Sequence, residues 1–430
     1  MRHNLPTLFR RTLSAVLLTG LVTAGAATAQ NVDVTLLPAT DADLVPRQLV
    51  AANLPMRAAD VPRESVVFSW PIAADTVLDA RPAPFVQESR EYLIEVDATR
   101  EGNVPLYAPA VGEWLVRISP LGADEASQGL DLRNLTLITP DGRALADGAG
   151  MAQMFDAGAL AAADLPFPRG TAAFRVDASL GGGTYQLAGL PPGRFLVNVV
   201  APESPRVLRL NAVRADHHVG DVLTAEVRLV DGDAGVLAGR VDGYVTSPTG
   251  DVLPATFARD EDGVYRARVT IDGSAEASAA GGRAGLWQVH ARMDARVAGA
   301  TVVRHAHVGF AVTAPTAALD GTLALAPTET KGALALRFGV RAAVEGRYEV
   351  RGVLYGTDAQ GAMRPAAVAH GAVWLNAGAG AVDLVFDPKS LTHAGLGAPY
   401  EVRDLRLQDQ TRMGLLHRQA RGVRIQPSER

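Results

Sequence analysis

"GRYEVRGVLYGTDAQGAMRPAAVAHGAVWLNAGAGAVDLVFDP", residues Gly346 to Pro388, decides the fold. Tyr348, Val350 and Leu354 take one parity along its first segment, and Glu349 and Arg351 take the other. Period two is the mark of a strand with one buried face. "TDAQGAM" and "NAGAG" turn the chain. Between them Val368, His370, Ala372 and Trp374 share a parity, and beyond them Val382, Leu384 and Phe386 alternate around Asp383. Asp387-Pro388 reads as the N-cap and first residue of a short helix through Thr392. The stretch is a meander built for burial, with no group placed for catalysis.

Outward from it, strand signals recur at short spacing from about Ser65 to Ile425, punctuated by Gly, Pro, Asp and Asn. Parallel α/β units would need helical segments between strands, so the pattern predicts an all-β chain of three tandem β-sandwich domains. The first, residues 30–211, opens with a proline-containing arm through Arg63 and counts "SVVFSW" among its core strands. It carries a small helical insertion in "DGAGMAQMFDAGALAAADLPF", where Met151, Met154, Phe155 and Leu160 are spaced for one helix face. "TYQLAGLPPGRFLVNVV" reads as a hairpin turning at Pro191-Pro192-Gly193. The second domain, residues 212–315, opens on a strand with Leu223, Ala225, Val227 and Leu229 on one side and closes on two strands around a turn near Val297 to Ala300. The third domain is residues 316–430.

The last long strand of that third domain breaks its own period. In "PYEVRDLRLQ", Tyr400 and Val402 share one parity while Leu405 and Leu407 share the other. One face can bury both pairs only if an extra residue intervenes, so a β-bulge is expected at Arg403-Asp404.

The N-terminal residues carry a different signal. Arg2, Arg10 and Arg11 precede a short apolar run that ends in small residues, with Ala27 and Ala29 at the positions signal peptidase reads. Residues 1–29 are therefore expected to be a signal peptide cleaved before Gln30, and the protein to be exported, periplasmic or secreted. Arg10-Arg11 also admits a twin-arginine reading. No other segment is long and apolar enough to span a membrane. Cysteine is absent, which excludes disulfides, thiol nucleophiles and lipid attachment through cysteine. The chain of 430 residues carries 41 basic and 46 acidic side chains, net −5, and loss of the leader arginines makes the product more acidic. Nucleic acid is an unsuitable partner for such a chain, because phosphate neutralisation needs a basic face.

The region Tyr348 to Leu407 resembles a β-sandwich module common in exported bacterial proteins. It shares "Y-x-V-x-G-x-L-Y-G" at Tyr348–Gly356, "V-x-L-x-F-D" at Val382–Asp387 and "A-P-Y-x-V-x-D-L-x-L" at Ala398–Leu407. "GVYRARV" and "GLWQVHA" make the second unit similar to immunoglobulin-like or macroglobulin-like modules, and "VVFSW" and "ESREYLIEV" extend a looser likeness into the first. Together these segments resemble a family of exported bacterial proteins classed as a domain of unknown function. The resemblance implies tandem immunoglobulin-like sandwiches, with type II secretion substrates among the members. It supplies no catalytic residues, and the cysteine pair of antibody-type domains is missing.

Each candidate for chemistry has a plainer reading. His305 and His307 are two apart on one strand, with His290 on the preceding strand, so their rings could take a metal together; His217-His218 opens the same domain. No "HExxH" or catalytic-zinc spacing accompanies them. The Asp-Gly clusters at Val230, Arg259 and Thr139 lack the terminal glutamate of a calcium loop and fall where hairpin turns belong. There is no "GxSxG", and Ser65, Ser69 and Ser89 have no histidine in their own unit. Trp70, Trp114, Trp287 and Trp374 sit inside alternating strands, as core anchors do, which weakens a lectin reading. No catalytic, cofactor-binding or metal-ligating residue is assigned. The expectation is a non-enzymatic binding, adhesion or interaction module with a protein or cell-surface glycan partner. The alternative is a secreted hydrolase or metal-dependent enzyme with its site in the N-terminal domain.

Overall fold

The computed structural model describes residues 32–51, 61–79, 85–123, 129–232, 235–272, 285–390 and 395–427. The expected signal peptide, residues 1–29 with the twin-arginine variant, lies outside them. The chain is nearly all β, in sheets that pack as three sandwiches.

The first sandwich sets a five-stranded sheet, in the order Glu91–Asp97, Arg194–Val200, Trp114–Pro120, Ala172–Val176 and Met151–Phe155, against a four-stranded one. Its core gathers Trp114, Phe174, Tyr185 and Phe195. The Gly183–Ala188 and Arg194–Val200 segments, expected to form a hairpin, lie in different sheets. Pro191-Pro192-Gly193 turns the chain across the sandwich instead, which gives both alternating strands a shared core. The expected helix is shorter than its pattern. Met151–Phe155 pairs as a strand with Ala173–Val176, and only Ala157–Ala162 is helical. Asp156 starts that helix by accepting from Ala159 N at 2.7 Å. Ladder hydrogen bonds to a neighbouring strand outweighed the helical spacing of the two methionines.

The second sandwich packs a sheet built around Val222–Asp231 against one built around Trp287–Val297 and Ala300–Thr313. Leu223, Ala225, Val227 and Leu229 are buried to the last atom, as their alternation requires. The turn at Ala298 (φ 49°) and Gly299 (φ 83°) is a two-residue hairpin loop with positive φ at both positions, the geometry that matches strand twist. Arg206–Ala212, assigned by sequence to the first domain in all but its last residue, pairs with Val222–Asp231 and lies in this second core. The first sandwich therefore ends near Ala201 rather than at residue 211.

The third sandwich faces a three-stranded sheet (Ala317–Leu325, Leu334–Ala342, Gly378–Phe386) with a six-stranded one. The order of the latter is Val32–Leu36, Gly414–Pro427, Gly397–Asp409, Gly346–Thr357, Met363–Leu375 and Val66–Pro71. One edge strand comes from the N-terminal arm and the other from the segment just after it. The "VVFSW" strand, read as part of the first domain's core, is instead the outer edge of the third domain, pairing Val66–Pro71 with Ala367–Ala372. The Val86–Ser89 strand joins the second sandwich in the same way. Closing so long a loop costs little more entropy than closing a short one, since the cost grows only with the logarithm of length.

The expected bulge is present. Arg351 pairs with Arg406 and Val353 with Arg403, so three steps on one strand oppose two on the other. Asp404 takes up the extra residue at φ 47°, and Val402, Leu405 and Leu407 all reach the same core. The helical turn at Pro388 begins as expected, with Asp387 accepting from Lys389 N at 2.8 Å, and its continuation to Thr392 lies outside the described residues.

Candidate functional site

The core of the third sandwich takes Tyr348, Val350 and Leu354 from one strand and Ala367, Ala369 and Val373 from the next. The opposite parity of each strand must then face outward. Cross-strand partners share a face, so the register Phe68↔His370↔Arg351↔Arg406↔Arg418 forms one row across five strands of the outer surface. A second row beside it runs Trp70↔Val368↔Val353↔Arg403↔Arg421.

The aromatic end of these rows is open to solvent. Phe68 is 46% and Trp70 45% exposed. Their ring centroids lie 5.3 Å apart, and the His370 ring stacks 5.1 Å from each. Core anchoring thus describes Trp114 and Trp287, at 2% and 3% exposure, but not Trp70. Trp374 is also on the outer face, half-buried with the Arg63 guanidinium 4.3 Å over its ring.

Below the rings lies a polar chain. His370 Nδ1–H donates to the buried Glu349 carboxylate, whose second oxygen accepts from Gln410 Nε2. Gln410 Oε1 in turn accepts from Arg347 Nε at 2.9 Å, and Arg347 reaches the arm carbonyls of Pro62 and Glu64. Burial alone would raise the pKa of Glu349, but the bond and charge of His370, the Gln410 amide and the Arg351 charge together hold it below the usual range. The arm, the rings and the third domain are thereby locked to one another.

The other end is a field of arginines. Asp404 takes Arg406 at 2.7 Å and Arg418 at 3.3 Å, and Glu401 takes Arg403 at 3.0 Å and also Arg421. Burial works to raise the Glu401 pKa, and the Arg421 and Arg403 bonds outweigh it. Arg403 also covers the Tyr355 ring at 4.4 Å. Arg351, midway along the first row, makes no ion pair among the described residues, and its Nε is buried without a hydrogen-bond partner.

The other sequence candidates are spread elsewhere. His290, His305 and His307 do come together, with ring centroids 5.5 to 6.3 Å apart. They lie in a stack that continues to Tyr244, 4.6 Å from His290, rather than converging on a point. Burial, then the charges of His305 and His307, pulls the His290 pKa down to about 4. Among the described residues no group of three His, Cys, Asp or Glu is placed to hold a metal ion. His217 and His218 are buried beside Asp221, which accepts from His218 N at 2.9 Å. Ser69 Oγ accepts from Asp387 N at 2.9 Å, and Ser89 Oγ donates to the His305 carbonyl at 2.5 Å, so neither meets an imidazole. Asp141-Gly142 and Asp262-Gly263 sit in strand-to-strand turns, while the cluster after Val230 lies partly outside the described residues. In the N-terminal domain a cleft of about 950 Å³ is lined by Asp131, Arg133, Met154 and Asp156. Both carboxylates are engaged as caps, on Arg133 N and Ala159 N.

Sequence reasoning missed the row because Phe68 and His370 are paired only by folding. The one available signal was the parity that puts Glu349, Arg351, His370 and Trp374 opposite the core.

This architecture defines a multi-domain β protein of tandem sandwiches with one decorated outer sheet. Models of the N-terminal and C-terminal domains of a domain-of-unknown-function family, DUF4785, match residues 57–201 and 316–426. The chain belongs to the DUF4785 family. A crystal structure of a DUF4785 family protein from Legionella pneumophila subsp. pneumophila matches with a TM-score of 0.67 at 19% identity, covering 88% of this chain and 98% of that one. A tetra-tandem repeat from the extending region of a large adhesion protein matches at a TM-score of only 0.20 and 18% identity, over 79% of this chain and 74% of that one, too low to show a shared fold. None of the curated proteins matches the sequence significantly.

Proposed function

We propose that the chain is an exported, non-enzymatic binding protein that engages a surface partner through the outer face of its third sandwich. The observation that carries this reading is the exposed pair Phe68 and Trp70, stacked on the half-buried His370 ring that Glu349, Gln410 and Arg347 hold in place. Exposed apolar rings on an edge strand are a liability that proteins otherwise blunt, so their retention on a rigid base speaks for use. Export rests on the leader pattern of residues 1–29.

An array of glycans and matrix proteins tests this. The protein should be retained on a defined set of spots, unchanged in mass, and a Phe68→Ala/Trp70→Ala double variant that melts normally should lose that retention. Retention that survives the double variant, or conversion of a retained glycan into shorter products, would overturn the proposal.

A further inference from the structure

We infer that the ligand of this face is an acidic, carboxylate-bearing oligosaccharide laid along the Phe68–Arg418 row; this rests on the binding role proposed above. Strands are spaced roughly 4.8 Å apart, so the row from Phe68 to Arg418 spans about 19 Å, the reach of a short saccharide chain rather than of a single small molecule. The row is open at Phe68 and half-buried from His370 to Arg418.

The chemistry changes along the row in a way that fits such a chain. At one end the Phe68 and Trp70 rings offer flat apolar faces against which a sugar ring can stack. Next comes Arg351, half-buried and without an ion pair among the described residues, its charge already acting on Glu349. A carboxylate matches the planar guanidinium fork geometrically. Beyond it Arg403, Arg406, Arg418 and Arg421 share two carboxylates, Glu401 and Asp404, among the described residues. This patch is positive on a chain whose net charge is −5, so an anionic ligand is drawn to this face and repelled from the rest.

Two other anionic polymers fit less well. An acidic peptide must place its own backbone N–H groups on acceptors, and the face is rich in donors while its carboxylates are already engaged. A single-stranded nucleic acid could stack on the rings, but its dense phosphates would meet the negative remainder of the chain.

Isothermal titration on the purified protein, with polygalacturonate oligomers, the same oligomers after carboxyl reduction, poly-glutamate and oligo-dT, decides the matter. Polygalacturonate should bind, and the reduced form should bind at least tenfold more weakly. Trp70→Ala and Arg351→Gln should each weaken binding at least tenfold with unchanged melting, and raising salt from 50 to 200 mM should weaken it further. Equal binding of the reduced oligomer, lost in Trp70→Ala, would overturn the acidic class while leaving the binding role intact. Oligo-dT or poly-glutamate binding more tightly than polygalacturonate, or no polygalacturonate binding at all, would overturn this inference, whereas the binding role itself stands or falls on the array.

Discussion

Gly371→Ala should destabilise the third sandwich more than any other single added methyl group on the site strand. Gly371 follows His370 and faces the opposite sheet. A Cβ there would lie 1.8 Å from the Asp383 carbonyl oxygen, 3.0 Å from its carbon and 3.5 Å from Val382 Cγ1. Carbon and carbonyl oxygen approach no closer than roughly 3.3 Å, so the sheets must part by about 1.5 Å. The obstacle is main chain, fixed by the Arg337↔Asp383 pairing, and no rotamer change relieves it. Parting the sheets would also loosen Val382, Leu384 and Phe386 against the facing strands. Overpacking typically costs 1–3 kcal/mol, and a rigid obstacle puts this case at about 3 kcal/mol or more. Gly397 is the control, because a Cβ there meets nothing within 4 Å. With several domains a single unfolding free energy is not defined, so the quantity to read is the shift of the third sandwich's own transition in urea, followed by exchange protection of its strands. If Gly371→Ala shifts that transition no more than Gly397→Ala does, the close approach of the two sheets is wrong.

Trp114→Ala should cost the first sandwich about 3–5 kcal/mol, read by calorimetry, because a large ring leaves a void among Tyr185 and its neighbours. Asp43→Ala should free the N-terminal arm, since Asp43 accepts from Ala420 N at 2.9 Å and Thr40 N at 2.8 Å; faster proteolysis between residues 45 and 63 with intact sandwiches is expected, and unchanged cleavage would argue against it. Burial, opposed by Asp221 and reinforced by Arg214, lowers the pKa of His217 to about 4, and burial likewise lowers His218 to about 4. Both rings are neutral in the fold and protonate more readily when unfolded, so their stabilisation is complete above pH 6.5 and lost as pH falls from 6.5 towards 4. The loss is at most about 3 kcal/mol per ring. Urea midpoints at pH 7, 5.5 and 4.5 should fall less steeply in a His217→Gln/His218→Gln variant, and an equal slope would refute the assignment.

The alternation in Gly346–Thr357 determined strand identity and the buried face on its own, because period two admits only one way of hiding Tyr348, Val350 and Leu354, whereas on Met363–Leu375 the core took Ala367, Ala369 and Val373 and left Trp374 outside. The parity break between Val402 and Leu405 likewise dictated the bulge at Asp404, since burying an unpaired charge costs more than bending a strand. These are local constraints, satisfied by neighbours a few residues away. Which strands become neighbours is a different matter. Val66–Pro71 has a pattern that suits any sheet edge, and only the packed third sandwich, some 300 residues further on, offers the edge it takes. That choice moved Trp70 from an expected core to an exposed surface and set Phe68 against His370. It also aligned them with Arg351, Arg406 and Arg418, residues whose sequence positions give no hint of a shared row. The candidate site thus belongs to the tertiary structure: side-chain parity is written in the chain, but cross-strand register between distant segments is settled only when their cores are filled together.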